Sequence, residues 1–213
     1  MKKRGFVLLE NFLGRVDDLL FYRRNRRRYV RKIRSNAKKR AVSTSRQLLG
    51  QARFAYVVAL YRAIKGTFLH EIWRLSPRAE GTTGYHNFIR SNYASFGLEG
   101  MILDYSRLKI SVGNLRLPLG IYVEAVSGRE IVIMWDTGWG ELQGDEADRL
   151  YVFLMYGDDC FRFTFFDHLL ACRGEGYASI ELDAKEASPV HLYYFFGSTD
   201  LHDFSDSGYY RLK

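Results

Sequence analysis

Proline, cysteine and histidine are all scarce in this 213-residue chain: three Pro, two Cys and five His. So few prolines exclude a long Pro-rich linker. Two cysteines, Cys160 and Cys172, cannot make a disulfide framework. They could pair across a hairpin, but two ordinary reduced, buried thiols are the expected state. Two Cys with scattered His give no zinc pattern, and no cofactor is expected. Long apolar runs are missing too. No stretch approaches the roughly 20 apolar residues of a membrane span. Lys2-Lys3-Arg4 followed by Phe6-Val7-Leu8-Leu9 begins like a signal peptide, but Glu10 and Asn11 end the run early and no small-residue cleavage site follows. A soluble, cytoplasmic protein without a membrane partner is the expectation.

The motifs of common enzyme classes are absent as well. There is no Gly-x-Ser-x-Gly elbow, no phosphate-cradling Gly-x-x-x-x-Gly-Lys loop and no dinucleotide-binding Gly-x-Gly-x-x-Gly. Gly138-Trp139-Gly140 and Gly174-Glu175-Gly176 read as turns. Asp200, His202, Asp203 and Asp206 have metal-ligand chemistry but lack EF-hand spacing, and such a Ser- and Asp-rich segment reads as a solvated turn. Asp167-His168 are neighbours and would point to opposite faces of a strand, which disfavours an acid–base pair. The expectation is a protein that is not an enzyme.

Charge is present in quantity and is unevenly placed. Residues 1–100 hold 22 Lys and Arg against six acids, net +16, while residues 101–213 hold ten against 18, net −8. Arg23, Arg24, Arg26, Arg27, Arg28, Arg31, Lys32, Arg34, Lys38, Lys39 and Arg40 follow one another without an intervening acid. Such a cluster repels itself unless a polyanion or counter-ions neutralise it. Arginine dominates, and its planar fork suits phosphate. Nucleic-acid phosphates are the first expected partner. An acidic protein surface or a solvated tail are the competing readings. Phe21, Tyr22, Tyr29, Val30 and Ile33 interleave with these cations, a pattern compatible with an extended segment or with a helix held by a partner.

Periodicity divides the rest. Ser43 or Thr44 can cap a helix over residues 44–74 whose apolar positions (Leu48, Leu49, Ala52, Ala55, Tyr56, Ala59, Ile64, Phe68, Ile72 and Trp73) recur mostly at helical spacing. Gly50 and Gly66 weaken it by about 1 kcal/mol each, and a break is expected near Gly66. Arg46, Arg53 and Arg62 would extend the basic surface along it. A second helix is expected over residues 83–95, with Asn87 and Asn92 as buried amides bonding loop backbone. After Gly100 the period becomes two. Strands are expected at residues 108–112, 121–125, 130–135, 150–156, 161–166, 178–182, 190–196 and 209–212. The aromatic runs Phe161-Arg162-Phe163-Thr164-Phe165-Phe166 and Tyr193-Tyr194-Phe195-Phe196 are expected to pack mainly in the core, with any surplus facing a protein or glycan. The predicted class is α+β: a basic N-terminal arm (1–43), a helical region (44–100) and an antiparallel β-sandwich of fibronectin or immunoglobulin type (101–213).

Several phrases also form an ordered series. They are Gly14-Arg15-Val16, Arg28-Tyr29-Val30-Arg31, Ser45-Arg46-Gln47 through Gln51-Ala52-Arg53-Phe54, and Tyr85-His86-Asn87-Phe88-Ile89-Arg90-Ser91-Asn92. Leu103-Asp104-Tyr105-Ser106, Ile110-Ser111-Val112-Gly113, Met134-Trp135-Asp136, Asp148-Arg149-Leu150-Tyr151-Val152 and Val190-His191-Leu192-Tyr193 follow. In this order they resemble the DUF 6266 family, bacterial proteins of unknown function common in Bacteroidota. The resemblance covers nearly the whole chain and implies helices followed by a sandwich and a bacterial or phage setting, with no activity attached. The chain departs from the family in having Asp17-Asp18-Leu19-Leu20 and no proline before Pro77, so the resemblance carries no expectation for residues 15–42.

Two functions are therefore expected as alternatives. One is a non-enzymatic binding protein whose basic half, through the cluster above with Arg46 and Arg53, grips DNA or RNA phosphates with little sequence preference. The other is a structural or assembly protein, such as a subunit of a phage particle or another large complex. Its arm would dock on neighbouring subunits or packaged genome, and its acidic sandwich would meet protein partners.

Overall fold

The computed structural model describes residues 12–24, 26–33, 43–77, 81–97, 101–127, 129–138, 144–157, 159–168, 170–182 and 191–212. The chain divides into two compact units, Met1–Ser45 and Arg46–Lys213. The class is α+β, and every strand pair between named strands is antiparallel.

The first unit is a three-stranded meander of β1 (Gly14–Val16), β2 (Leu19–Arg24) and β3 (Arg27–Lys32). Of the two conformations the sequence allows for this segment, the extended one is observed. Val16 pairs with Leu19, so Asp17-Asp18 is a two-residue turn. Asp17 takes φ +49°, a left-handed conformation that Asp tolerates better than most residues, and its carbonyl accepts a 2.8 Å bond from Arg15 Nε. The Ile33 N–H donates to the Asp18 carbonyl and so extends the pairing of β2 with β3 by one residue. Arg24 pairs with Arg27, which again leaves two residues for the turn, and Arg26 stands at φ +60°. None of the described residues 12–33 is buried.

The second unit opens with α1 (Ser45–Ala63), which buries Val57, Leu60 and Tyr61 and continues into a 3-10 turn that buries Ile64. These four positions are one helical stripe at i, i+3, i+4 and i+7. Leu48, Leu49 and Phe54, earlier on the helix, are exposed, so the stripe begins later than the apolar sequence does. The break falls where it was expected. The Thr67 hydroxyl and N–H both donate to the Ile64 carbonyl, at 2.8 and 3.0 Å, satisfying it as the helix stops. Helix α2 (Leu69–Leu75) follows, then α3 (Gly84–Asn92), whose N-cap is Thr83. A Cβ on Gly84 would lie 2.2 Å from the Trp73 carbonyl oxygen, so α3 can begin this close to α2 only with glycine. The two amides are structural, as expected. Asn87 Nδ2 donates to Ser76 Oγ (2.9 Å) and the Pro77 carbonyl (3.1 Å). Asn92 holds both backbone groups of Lys109, at 2.7 and 2.9 Å.

Seven strands complete the unit. They are β4 (Tyr122–Ser127), β5 (Glu130–Met134), β6 (Arg149–Met155), β7 (Phe163–Phe166), β8 (Tyr177–Glu181), β9 (His191–Gly197) and β10 (Gly208–Arg211). They form a four-stranded sheet, β10-β9-β6-β7, and a three-stranded sheet, β4-β5-β8. Each lies at or beside an expected strand. Residues 108–112 are the exception. Leu108 and Ile110 are buried, but so is Ser111, while Val112 is only half-buried, and no strand forms. Side chains meet part of this backbone instead: Asn92 binds Lys109, and Ser207 Oγ accepts the Ile110 N–H at 3.0 Å.

The four-stranded sheet is covered on both faces. Tyr151, Phe153, Met155, Tyr193 and Phe195 join one apolar cluster with Val57, Leu60, Trp73 and Phe88 of the helices. Leu150, Val152, Leu154, Leu192 and Phe196 join a second cluster with Val123, Ile131, Ile133, Trp135, Ala178 and Ile180. The central strand therefore reads as an unbroken apolar run, as strands buried on both sides do. The Tyr193-Tyr194-Phe195-Phe196 run is spent on these two cores. Of the other aromatic run, Phe161 is exposed.

Candidate nucleic-acid interface

Cross-strand register assigns each residue of the meander to a face, because paired residues share a side and neighbours alternate. One face carries the Val16–Leu19, Phe21–Val30 and Arg23–Arg28 pairs, with Lys32 opposite Leu19. It is the more apolar face, and Phe12 packs edge-on against Phe21 at 5.8 Å. The opposite face carries Arg24 with Arg27, Tyr22 with Tyr29, and Leu20 with Arg31 and Arg15. The two tyrosine rings stack at 5.5 Å with 21° between planes. The Arg31 guanidinium lies 5.9 Å from the Tyr22 ring centroid, a cation–π contact.

The predicted residues separate accordingly. Arg24, Arg27 and Arg31 sit on the tyrosine face, Arg23 and Arg28 on the other, and Arg26 in the turn, and all six are exposed. Lys32 Nζ lies 3.1 Å from Asp18 Oδ2, an exposed ion pair of small energetic weight. Arg34, Lys38, Lys39 and Arg40 lie outside the described residues. Arg46 and Arg53 belong to the second unit. Arg46 is exposed near the start of α1, while the Arg53 guanidinium lies 5.3 Å over the Tyr93 ring. The residues sequence reasoning undervalued are Tyr22 and Tyr29. Their signal was available, since they stand equidistant from Asn25-Arg26, which a two-residue hairpin would make the centre of symmetry.

Elsewhere, Asp200 has structural partners. Asp200 Oδ1 accepts from Ser198 Oγ (2.6 Å) and the His202 N–H (3.1 Å), which lowers its carboxyl below the usual range and closes a turn. Among the described residues, no group of three or more His, Cys, Asp or Glu is placed to hold a metal ion. Asp167 and His168 are both exposed. Both cysteines are free thiols; Cys160 is buried and Cys172, contrary to expectation, only half-buried. Burial, reinforced by the Asp159 charge, pushes the Cys160 thiol up to about 11, the opposite of what a nucleophile needs.

Two further polar clusters are buried. His191 Nδ1 shares a 2.8 Å bond with the Tyr209 hydroxyl and stacks on Tyr105 at 3.5 Å. Arg173 is 4 % exposed, donates from Nε to Asp148 Oδ2 at 3.1 Å and from Nη2 to the Arg116 carbonyl at 2.8 Å, and lies over Phe196. Burial raises the Asp148 carboxyl, with the Arg173 charge opposing in part, as expected of an ion pair sunk in a core.

Among the described residues, no helix is long and apolar enough to cross a membrane. A scan against protein-family models, a search of curated proteins and a search of solved structures each return no match to this chain.

Proposed function

We propose that the chain is a non-enzymatic binding protein whose basic N-terminal unit contacts nucleic-acid phosphates with little sequence preference. The carrying observation is the meander itself: eight Lys and Arg in residues 12–33 against two Asp, with none of those residues buried. Cations at this density on a twisted ribbon lower their mutual repulsion by taking up a polyanion. Phosphate contacts position a protein without reading sequence, so weak sequence preference is part of the proposal. A cytoplasmic setting and kinship with the DUF 6266 proteins belong to the same reading. So does a fibronectin- or immunoglobulin-like sandwich arrangement of the two C-terminal sheets, supported by the apolar cluster they share.

The test is a salt titration of the full chain on duplex DNA and on structured RNA, beside the Arg24→Gln/Arg27→Gln/Arg31→Gln variant. Log affinity should fall linearly with log salt, and the variant should flatten that slope by about one for each phosphate it no longer neutralises. Affinity insensitive to salt would remove the proposal.

Charge asymmetry favours one second reading. Met1–Ser45 holds 15 Lys and Arg against three acids, net +12, and Arg46–Lys213 holds 17 against 21, net −4. Opposed charges suit head-to-tail assembly of copies. Sedimentation at low salt over a wide concentration range tests it, and a strict monomer throughout would exclude it.

A further inference from the structure

We propose that the tyrosine face of the meander is a seat for the bases of single-stranded nucleic acid; this rests on the phosphate-binding reading and narrows it. The face is built as three successive rungs. Arg24 and Arg27 form the first, Tyr22 and Tyr29 the second, and Leu20 with Arg31 the third, flanked by Arg15 on β1. Side chains on one face of a strand recur every second residue, about 6.8 Å apart. Two cationic rungs thus lie about 14 Å apart with an aromatic rung between them.

A phosphate reader needs only the outer rungs. The tyrosines need another explanation, because they contribute to no buried core: Tyr22 is 37 % and Tyr29 40 % exposed. Their stacking on each other holds both rings in fixed orientation, and the Arg31 guanidinium lies over the ring of Tyr22. Flat rings and a guanidinium held beside exposed cations are the surface on which an unpaired base lays its π-face. A duplex offers no such face, since its bases are already stacked on each other. The apolar side of the meander lacks this arrangement, having Phe21 paired with Val30 where the tyrosines pair on the other.

The experiment compares three probes on the full chain: an oligo-dT of about 12 nucleotides, spanning a site size ordinary for single-strand binders, an abasic oligonucleotide with the same number of phosphates, and a duplex long enough to stay paired. The abasic strand keeps the backbone charge and removes every base. Wild type should bind oligo-dT at least about tenfold more tightly than the abasic strand. Tyr22→Leu/Tyr29→Leu, which keeps apolar bulk on the rung, should abolish that ratio while leaving abasic affinity unchanged. Tyr22→Phe/Tyr29→Phe should preserve the ratio. Equal wild-type affinity for oligo-dT and abasic strand overturns the base seat yet leaves phosphate binding standing, provided both affinities fall with salt. A ratio retained by the leucine variant, or a parallel fall for both strands, also overturns it. Failure to bind any of the three probes at low salt overturns both readings.

Discussion

The two units of this chain use β structure to opposite ends. In the second, strand β6 is paired on both sides and buried on both faces, and its aromatic and aliphatic side chains divide between a helical core and an inter-sheet core. In the first, three short strands carry three aromatic residues and bury none of them. Alternation along a strand can sort apolar from polar only when something covers one face. In the meander it sorts residues into an aromatic–cationic face and a more apolar face, both exposed to some degree. A three-stranded sheet is stable by itself only with a hydrophobic face or an element packed against it, and no described residue of the meander is buried. The meander is thus a surface first and a stability element second, whereas the second unit holds the core.

The widest test of that contrast is a pair of truncations. Phe153→Ala, in the middle of β6, should cost about 3–5 kcal/mol in urea unfolding, and Val30→Ala on β3 less than about 0.5. Equal costs would break the comparison by showing that the meander carries core weight. Next in size is Asn92→Ala. Its amide satisfies both backbone groups of Lys109 across a loop that forms no strand. Leaving them unpaired should cost about 1–3 kcal/mol, and Asn92→Asp, which can accept but not donate while ionised, should recover only part of it. Arg26→Gly runs the other way. It removes a side chain from a left-handed position at φ +60°, so the meander should tolerate it or gain up to about 1 kcal/mol. The salt slope of nucleic-acid binding should fall by at most about one.

The smallest effects are at alkaline pH. Burial raises the folded-state values of Tyr61, Tyr151, Tyr193, Tyr194 and Tyr209 above the usual 10, and that of Cys160 to about 11. A group whose folded value is raised contributes stability that is complete below its unfolded value and is lost as pH rises through the folded one. From neutral pH to about pH 9 stability of the second unit should therefore be flat, and above that it should decline. A thiol reagent at neutral pH should label the half-buried Cys172 well before Cys160. Simultaneous labelling would mean that the core around Cys160 opens more readily than its burial implies.

Much of the second unit is legible in the sequence. Turn residues and period-two stretches mark β4 through β10, Gly66 marks the helix break, and Asn87 and Asn92 announce themselves as amides stranded beside an apolar stripe. Residues 108–112 mislead because their apolar alternation matches burial only at Leu108 and Ile110, while Ser111 is buried through its bond to the Ser205 carbonyl and Val112 is half-buried. Here Asn92 and Ser207, one before the segment and one far beyond it, take part of the place of a neighbouring strand. The second cover on β6 is also hidden, since an unbroken apolar run does not say what lies on each side. In the meander, charge dominates the composition and conceals the pairing. The symmetry of Tyr22 and Tyr29 about a two-residue turn becomes visible only once the segment is taken as strands, and Asp17-Asp18 is then the first of its two turns.

The double cover of the central sheet also has a consequence for synthesis on the ribosome. Val57, Leu60, Trp73 and Phe88 emerge early, but Tyr193, Phe195 and Phe204, which close over the same core, emerge more than a hundred residues later. At about 5–20 residues per second, that leaves the helical stripe incompletely covered for roughly 5–30 seconds. Nascent chains in which residue 191 has yet to leave the ribosomal exit tunnel should accordingly be held by chaperones that recognise apolar segments, and those in which residue 212 has left it should be released from them.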